Sequence, residues 1–129
     1  MDGDTLPERY ARVKASLPPG VELIAVSKTR TVEEIKALYD LGQRAFGENY
    51  PQELREKQPA LPDDVRWHFI GHLQTNKVKH ISAFVHLVHG VDRFSLLDEL
   101  DRRAQAADRR IDVLLQAHIA QEETKQGFT

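Results

Sequence analysis

The chain has 129 residues, and its 18 lysine and arginine residues against 20 aspartate and glutamate residues give a formal net charge of −2. It contains no cysteine, which excludes disulfide frameworks and thiolate metal sites. Apolar residues make up 40% of the sequence, as in ordinary globular domains, and none of their runs approaches the roughly 18 residues of a membrane span.

The charge balance and the first residues of the chain indicate the kind of partner and the location to expect. The near-neutral balance of charges argues against nucleic acid as the main partner. Residues 1–4 are acidic, and the basic and then apolar segment of a secretory signal is missing. We therefore expect a cytoplasmic domain that binds a small molecule, with neither nucleic acid nor a membrane as its partner.

Helix-like and strand-like segments alternate along the chain. Capping-box pairs, each followed by apolar residues at helical spacing, predict three helices. The pairs are Thr5 with Glu8, Thr31 with Glu34, and Ser95 with Asp98. A charged helix is expected at 51–57 and a short basic helix at 74–81. The short apolar segments that are typical of strands are 21–26, 44–48, 66–70, 84–88 and 111–117.

This alternation predicts an α/β fold with a parallel sheet, either open or rolled into a barrel. The first strand, 21–26, is mostly apolar, which is typical of a parallel strand covered on both faces. No Gly-x-Gly-x-x-Gly follows any strand, so the dinucleotide-binding fingerprint is missing. Since a closed barrel takes eight strands and about 250 residues, we expect a partial (β/α) barrel of about five parallel strands with flanking helices.

A polar residue follows each predicted strand. In both parallel architectures the binding site lies at the carboxyl ends of the strands, so these residues are expected to surround one pocket. They are Lys28, Asn49, His72, His89 and His118.

Among them, Lys28 carries the most specific chemistry. It directly follows an apolar strand, where partial burial would lower the pKa of its amine and free the lone pair. A neutral amine attacks an aldehyde and forms a Schiff base. Taken from its position alone, however, the more ordinary interpretation is a surface lysine that either pairs with Glu48 or extends from the strand end into solvent.

The histidines allow a second hypothesis, a metal site. The candidates on the third and fourth strands and just beyond them are His68, His72, His86 and His89. No carboxylate lies at a recognisable ligand spacing from them, so we favour histidines that line the pocket or donate to backbone carbonyls. The basic cluster Lys77, Lys79 and His80 could hold a phosphate, although a solvated helix face is the ordinary explanation.

Five motifs, in order along the chain, resemble those of the pyridoxal-phosphate homeostasis proteins, which are single-domain relatives of the alanine racemase barrel. The motifs are Ala-Val-Ser-Lys-Thr at 25–29, Phe-Gly-Glu-Asn-Tyr at 46–50, Trp-His-Phe-Ile-Gly-His-Leu-Gln at 67–74, His-Gly-Val-Asp-Arg at 89–93 and Gln-Glu-Glu-Thr-Lys-Gln-Gly at 121–127. The resemblance implies that residues 1–129 are the N-terminal part of one barrel that binds pyridoxal 5'-phosphate, with no second domain.

The resemblance also implies roles for particular residues. Lys28 would carry the cofactor as a Schiff base, while Asn49 and His72 match positions that line its pocket. Lys125 matches a second lysine near the pocket mouth, associated with cofactor transfer. His118 falls where the family has asparagine, which places that pocket contact in question.

The family is regarded as non-catalytic, so the resemblance implies a protein that stores pyridoxal 5'-phosphate and passes it to enzymes that depend on this cofactor. Two alternatives stay open: a racemase-like enzyme, and a truncated or engineered half-barrel without cofactor. A half-barrel leaves two sheet edges and apolar surface uncovered, so we also expect the chain to self-associate.

Overall fold

The computed structural model describes residues 5–117. Five parallel strands form one sheet, in which each strand pairs with the next one along the chain. The strands are β1 (Ala25–Val26), β2 (Ala45–Glu48), β3 (Arg66–Phe69), β4 (Leu87–Val91) and β5 (Asp112–Leu115). A doubly wound sheet reverses its strand order at a switch point, whereas a (β/α) barrel keeps the order of the chain. The described sheet therefore has the topology of part of a barrel.

Helices connect the strands. They are α1 (Leu6–Ser16), α2 (Val32–Asp40), α3 (Pro51–Lys57) and α4 (Phe94–Ala106), with 3₁₀ helices at Gln58–Ala60 and Thr75–His80. Both halves of the capping box form at Thr5 and at Thr31, as predicted. None of the helices among residues 5–117 is long and apolar enough to cross a membrane.

The start of α4 differs from the prediction. Ser95 does not cap the helix: Arg93 occupies the N-cap position, without a capping side-chain bond, and the helix begins at Phe94. The Arg93 guanidinium instead donates to the carbonyl oxygen of Leu73 at 2.5 Å and to Asp92 at 2.7 Å. The bond to Leu73 is a tertiary contact, and it holds the chain so that the helix begins two residues earlier than a cap at Ser95 would place it. The predicted basic helix at 74–81 is likewise the shorter 3₁₀ helix Thr75–His80.

Strand boundaries also shift. The fourth strand, predicted at 84–88, is Leu87–Val91, because the amides of Phe84 and Val85 bond to the carbonyl oxygen of Ile81 in a preceding turn. His89 therefore lies within β4 rather than after it. The first strand was predicted as covered on both faces, and this was wrong: β1 pairs over two residues at a sheet edge, and Val26 is 54% exposed.

The core lies between one face of the sheet and the helices. Phe46 and Trp67 are register partners whose ring centroids lie 6.1 Å apart, and both are buried. They belong to one cluster with buried residues of the helices, which include Leu54, Val78, Leu96 and Leu100. Burial of each large apolar side chain contributes about 1.5–3 kcal/mol, so this face holds the helices on the sheet.

The opposite face carries different residues. Gly47 alternates with Phe46 and Glu48, so it faces away from the helices. A Cβ atom on Gly47 would lie 3.0 Å from Ile70 Cδ1 and 3.3 Å from Ile24 Cγ2, so these side chains pack over the glycine. This face corresponds to the interior of the barrel.

Candidate functional site

Lys28 lies two residues after β1, at the carboxyl end of the strand as predicted, and it is exposed. The partial burial that the sequence suggested is therefore absent. The pairing with Glu48 is absent too, because Glu48 points to the helix face of the sheet, where it meets Lys57 of α3. The neighbouring residue Thr29 has a positive φ of 64°.

A buried charge cluster lies next to Lys28. The Lys57 ammonium donates to Glu48 Oε2 at 2.9 Å, to Glu53 Oε2 at 2.5 Å and to the Ser27 carbonyl oxygen at 2.8 Å. The side chains of Lys57 and Glu48 are 7% and 0% exposed. The Ser27 hydroxyl donates to Glu48 Oε2, and the Ser27 amide donates to the carbonyl oxygen of Gly47 at 2.9 Å. The cluster thus joins the end of β1, the end of β2 and α3.

Asn49 and His72, the residues that follow the second and third strands, line one cleft of about 450 Å³. The other residues that line it are Tyr50, Pro51, Gln52, Gly71, Gln74, Lys77 and His80. None of these residues is acidic, and Lys77 is a cation, so the cleft favours an anionic ligand. Lys28 is not among the lining residues.

Backbone packing fixes the floor of this cleft. A Cβ atom on Gly71 would lie 2.5 Å from the carbonyl oxygen of Asn49, closer than real atoms approach, so only glycine fits there. The side-chain oxygen Oδ1 of Asn49 is buried and has no hydrogen-bond partner among the described residues. Because a buried polar atom without a partner is costly, Asn49 is suited to bond with a ligand group.

The histidines of the third and fourth strands form a separate group. His68 Nδ1 lies 3.1 Å from His89 Nε2, and the His68 ring centroid lies 5.4 Å from that of His86. Burial, followed by the neighbouring His89 and His86, lowers the pKa of His68 to about 4, so His68 is neutral at pH 7. Within residues 5–117, no three His, Asp or Glu side chains are placed to hold a metal ion.

Two predicted site residues, His118 and Lys125, lie outside the described residues. The charge cluster, in contrast, is not among the features predicted from the sequence. The sequence contains a signal for it: Phe46 and Glu48 are two residues apart in β2, so both side chains point to the core face, where a buried Glu48 needs a cation.

The family described as "Alanine racemase, N-terminal domain" matches residues 1–128. The chain belongs to this family. Its curated relatives include the pyridoxal phosphate homeostasis protein of Synechocystis, 38% identical over 125 residues, which cover 95% of this chain and 57% of the relative. The protein of the same name from Aquifex aeolicus is 45% identical over 107 residues, which cover 82% of this chain and 47% of the relative. The chain thus spans about half the length of the curated relatives it matches.

Solved structures agree with this membership in the alanine racemase N-terminal domain family. PipY of Synechococcus elongatus, 38% identical, matches 97% of this chain with a TM-score of 0.88 without PLP and 0.86 with PLP bound. The match covers 59% and 58% of those two chains. Together with the five parallel strands and flanking helices, these matches confirm the predicted partial barrel and the family resemblance.

Proposed function

We propose that this chain binds pyridoxal 5'-phosphate as a Schiff base on Lys28 and takes part in homeostasis of the cofactor without catalysing a reaction. The observation that carries the proposal is the exposed amine of Lys28 at the carboxyl end of β1. It is supported by the match to PipY, which has been solved with PLP bound. The names of the curated relatives point to the same role.

The residues at the carboxyl ends of the strands fit this cofactor. Bound pyridoxal 5'-phosphate supplies an aldehyde, which condenses with the lysine amine and releases one water. The partnerless Oδ1 of Asn49 and the ring of His72 supply polar groups for a ligand beside the strands. We propose Lys28, Asn49 and His72 as the binding residues, and Lys125 and His118 as secondary ones.

Lys57 is the other lysine beside the end of β1, and its hydrogen bonds argue against a Schiff base on it. An ammonium has three N–H donors, and Lys57 uses all three on Glu48, Glu53 and the Ser27 carbonyl. A lysine committed in this way and 7% exposed is a poor nucleophile. Lys28 is exposed and lies two residues after the end of β1, so we assign the Schiff base to it.

A titration with pyridoxal 5'-phosphate, followed by visible absorbance, tests the assignment. The Lys28→Ala protein should lose the absorbance band of the bound cofactor, whereas the Lys36→Ala protein should keep it. Lys36 is a matched control because it is an exposed lysine whose salt bridge to Asp40 lies on the surface of α2. Equal bands in both variants would show labelling of surface lysines and would overturn the proposal.

A racemase-like activity is the alternative function. It needs a base on the face of the cofactor opposite to the lysine, and Tyr50, which is 53% exposed and lines the cleft, is the candidate nearest the binding residues. Incubation with alanine and pyridoxal 5'-phosphate in deuterated water tests it. We expect no enzyme-dependent exchange at Cα; exchange that is lost in Tyr50→Phe would establish the alternative.

The cellular role is the wider part of the proposal. We propose that residues 1–129 form one domain, the N-terminal part of a barrel, which acts in the cytoplasm and passes its cofactor to enzymes that depend on it. An apo-enzyme of that class should regain activity faster from the loaded chain than from the loaded chain after borohydride reduction. Equal rates would contradict transfer.

We also propose that the chain self-associates through the edge strands of the described sheet. Val26 of β1, and Leu114 and Leu115 of β5, are 54%, 49% and 61% exposed. Exposed apolar side chains on unpaired edges favour association. Light scattering at micromolar concentration should give a mass above one chain, and a stable monomer would contradict self-association.

A further inference from the structure

We propose that Glu53 and Lys57 are positioning residues that hold the turn carrying Lys28, so that this lysine meets the cofactor from a fixed backbone. The inference rests on the proposed role of Lys28 and deepens it. Neither residue is placed in contact with the ligand; both act through the backbone on either side of Lys28.

The backbone before Lys28 is tied to the cluster at several points. The Ser27 amide donates to the Gly47 carbonyl at 2.9 Å, and the Ser27 carbonyl accepts from Lys57 Nζ at 2.8 Å. The Ser27 hydroxyl donates to Glu48 Oε2. Ser27 is 3% exposed, so these bonds are shielded from water and hold the end of β1 firmly.

The backbone after Lys28 is tied to the same cluster. The Thr29 amide donates to Glu53 Oε2 at 2.5 Å, and the same carboxylate oxygen accepts from Lys57 Nζ at 2.5 Å. The Arg30 amide donates to the Ser27 carbonyl at 3.0 Å and closes a four-residue turn. Lys28 therefore occupies the second position of a turn whose first and third residues are fixed by one cation and its carboxylates.

The conformation of this turn shows that it needs such support. Thr29, the third residue of the turn, has a φ of 64°. This position favours glycine or asparagine, and a β-branched residue there is strained. Thr29 is exposed, so core packing does not impose the conformation. The bond from its amide to Glu53, the bond from its hydroxyl to the Lys28 carbonyl at 2.5 Å and the closure of the turn do so instead.

The electrostatics of the cluster make Glu53 the residue to change. Glu48 is fully buried and Lys57 is nearly so, and removing either one would therefore destabilise the fold as a whole. Glu53 is 24% exposed and lies on the surface side of the cluster. Its removal leaves the buried pair of Lys57 and Glu48 intact while it releases the Thr29 amide.

The test compares Glu53→Ala with Glu56→Ala, which removes an exposed carboxylate from the same helix; Glu56 bonds to Gln52. In Glu53→Ala we expect the Thr29 amide to exchange its hydrogen about tenfold faster by NMR, as for loss of a bond to a charged group. We expect binding of pyridoxal 5'-phosphate to weaken by about the same factor. Glu56→Ala should leave both unchanged.

Two variants make the test specific. Thr29→Gly removes the strain at positive φ, so adding it to Glu53→Ala should recover part of the lost affinity, which a general loss of stability would not allow. Glu53→Gln keeps an acceptor for the Thr29 amide without the charge, so it should fall between the wild type and Glu53→Ala. If Glu53→Ala does not fold, Glu53→Gln takes its place in the comparison with Glu56→Ala.

The outcomes separate this inference from the proposed function. Exchange and affinity in the Glu53 variants that equal those of Glu56→Ala would overturn the positioning role while leaving the Schiff base on Lys28 in place. Loss of affinity without rescue by Thr29→Gly would also overturn it. If the wild-type chain forms no Schiff base on Lys28, the proposed function fails, and with it the positioning role for the cofactor.

Discussion

Replacing Lys57 with methionine should destabilise the protein far more than loss of an ordinary surface charge. Methionine has a similar length but cannot donate a hydrogen bond. The change leaves Glu48, which is 0% exposed, without its cation, and it removes one of the donors to the Ser27 carbonyl, which keeps its bond from the Arg30 amide. Breaking a buried ion pair by removing one partner costs about 3–5 kcal/mol in the free energy of unfolding.

That cost is large because a domain of this size has a total stability of about 5–15 kcal/mol. A loss of about 3 kcal/mol lowers the melting temperature by roughly 10–20 °C for a chain of this length. Urea unfolding followed by circular dichroism measures the free energy, and thermal unfolding gives the midpoint. The control is Lys36→Met, which breaks the exposed pair with Asp40 and should cost about 0.5 kcal/mol or less.

The double variant Glu48→Gln, Lys57→Met tests whether the loss of stability comes from the unpaired charge of Glu48. Removing both charges leaves no buried ion without a partner, so the double variant should be more stable than Lys57→Met alone. A Lys57→Met protein that loses no more stability than Lys36→Met, or a double variant less stable than Lys57→Met, would show that an unpaired buried charge is not the source of the cost.

Three smaller predictions follow from single contacts. Gly71→Ala should cost more stability than Gly47→Ala, because its new methyl meets the Asn49 backbone at 2.5 Å while the methyl on Gly47 meets a flexible side-chain end at 3.0 Å. His68 has a pKa lowered to about 4 against 6.5 when unfolded, so stability should fall as the pH drops from about 6.5 to about 4, and His68→Leu should reduce that fall. Thr31→Ala should cost about 1 kcal/mol, since it removes the cap of α2.

Urea midpoints measure all three. Equal costs for the two glycine variants would contradict the close approach at Gly71. An unchanged pH dependence in His68→Leu would show that other groups take up the protons. For the cap, Thr31→Ser is the control, because serine keeps the hydroxyl that accepts from the Glu34 amide; equal losses in both variants would contradict the capping role.

Local signals in the sequence were enough for much of the fold. The capping boxes at Thr5 and Thr31 join residues that are three apart in the sequence, so the local pattern alone predicts them. The start of α4 could not be found in this way, because Arg93 is fixed by the carbonyl of Leu73, twenty residues earlier. Tertiary contacts overrode the local signal at Ser95.

The candidate site likewise has some features that the sequence predicts and others that it does not. The position of Lys28 after a strand and the meeting of Asn49 with His72 follow from parallel topology, which brings the carboxyl ends of strands together. The exposure of Lys28 and the ion pair between Lys57 and Glu48 do not follow from the topology. They depend on the face to which each side chain points and on how α3 packs against the sheet. The alternation of residues in β2 indicates that Glu48 is buried, but not which cation it meets.

Locating the covalent bond decides whether Lys28 carries the cofactor. The chain is loaded with pyridoxal 5'-phosphate, reduced with borohydride, digested and mapped by mass spectrometry. We predict that the reduced adduct lies on Lys28 and that Lys57 is unmodified. An adduct spread over surface lysines such as Lys36 and Lys79, or one that persists unchanged in Lys28→Ala, would contradict the assignment of Lys28 as the lysine that carries the cofactor.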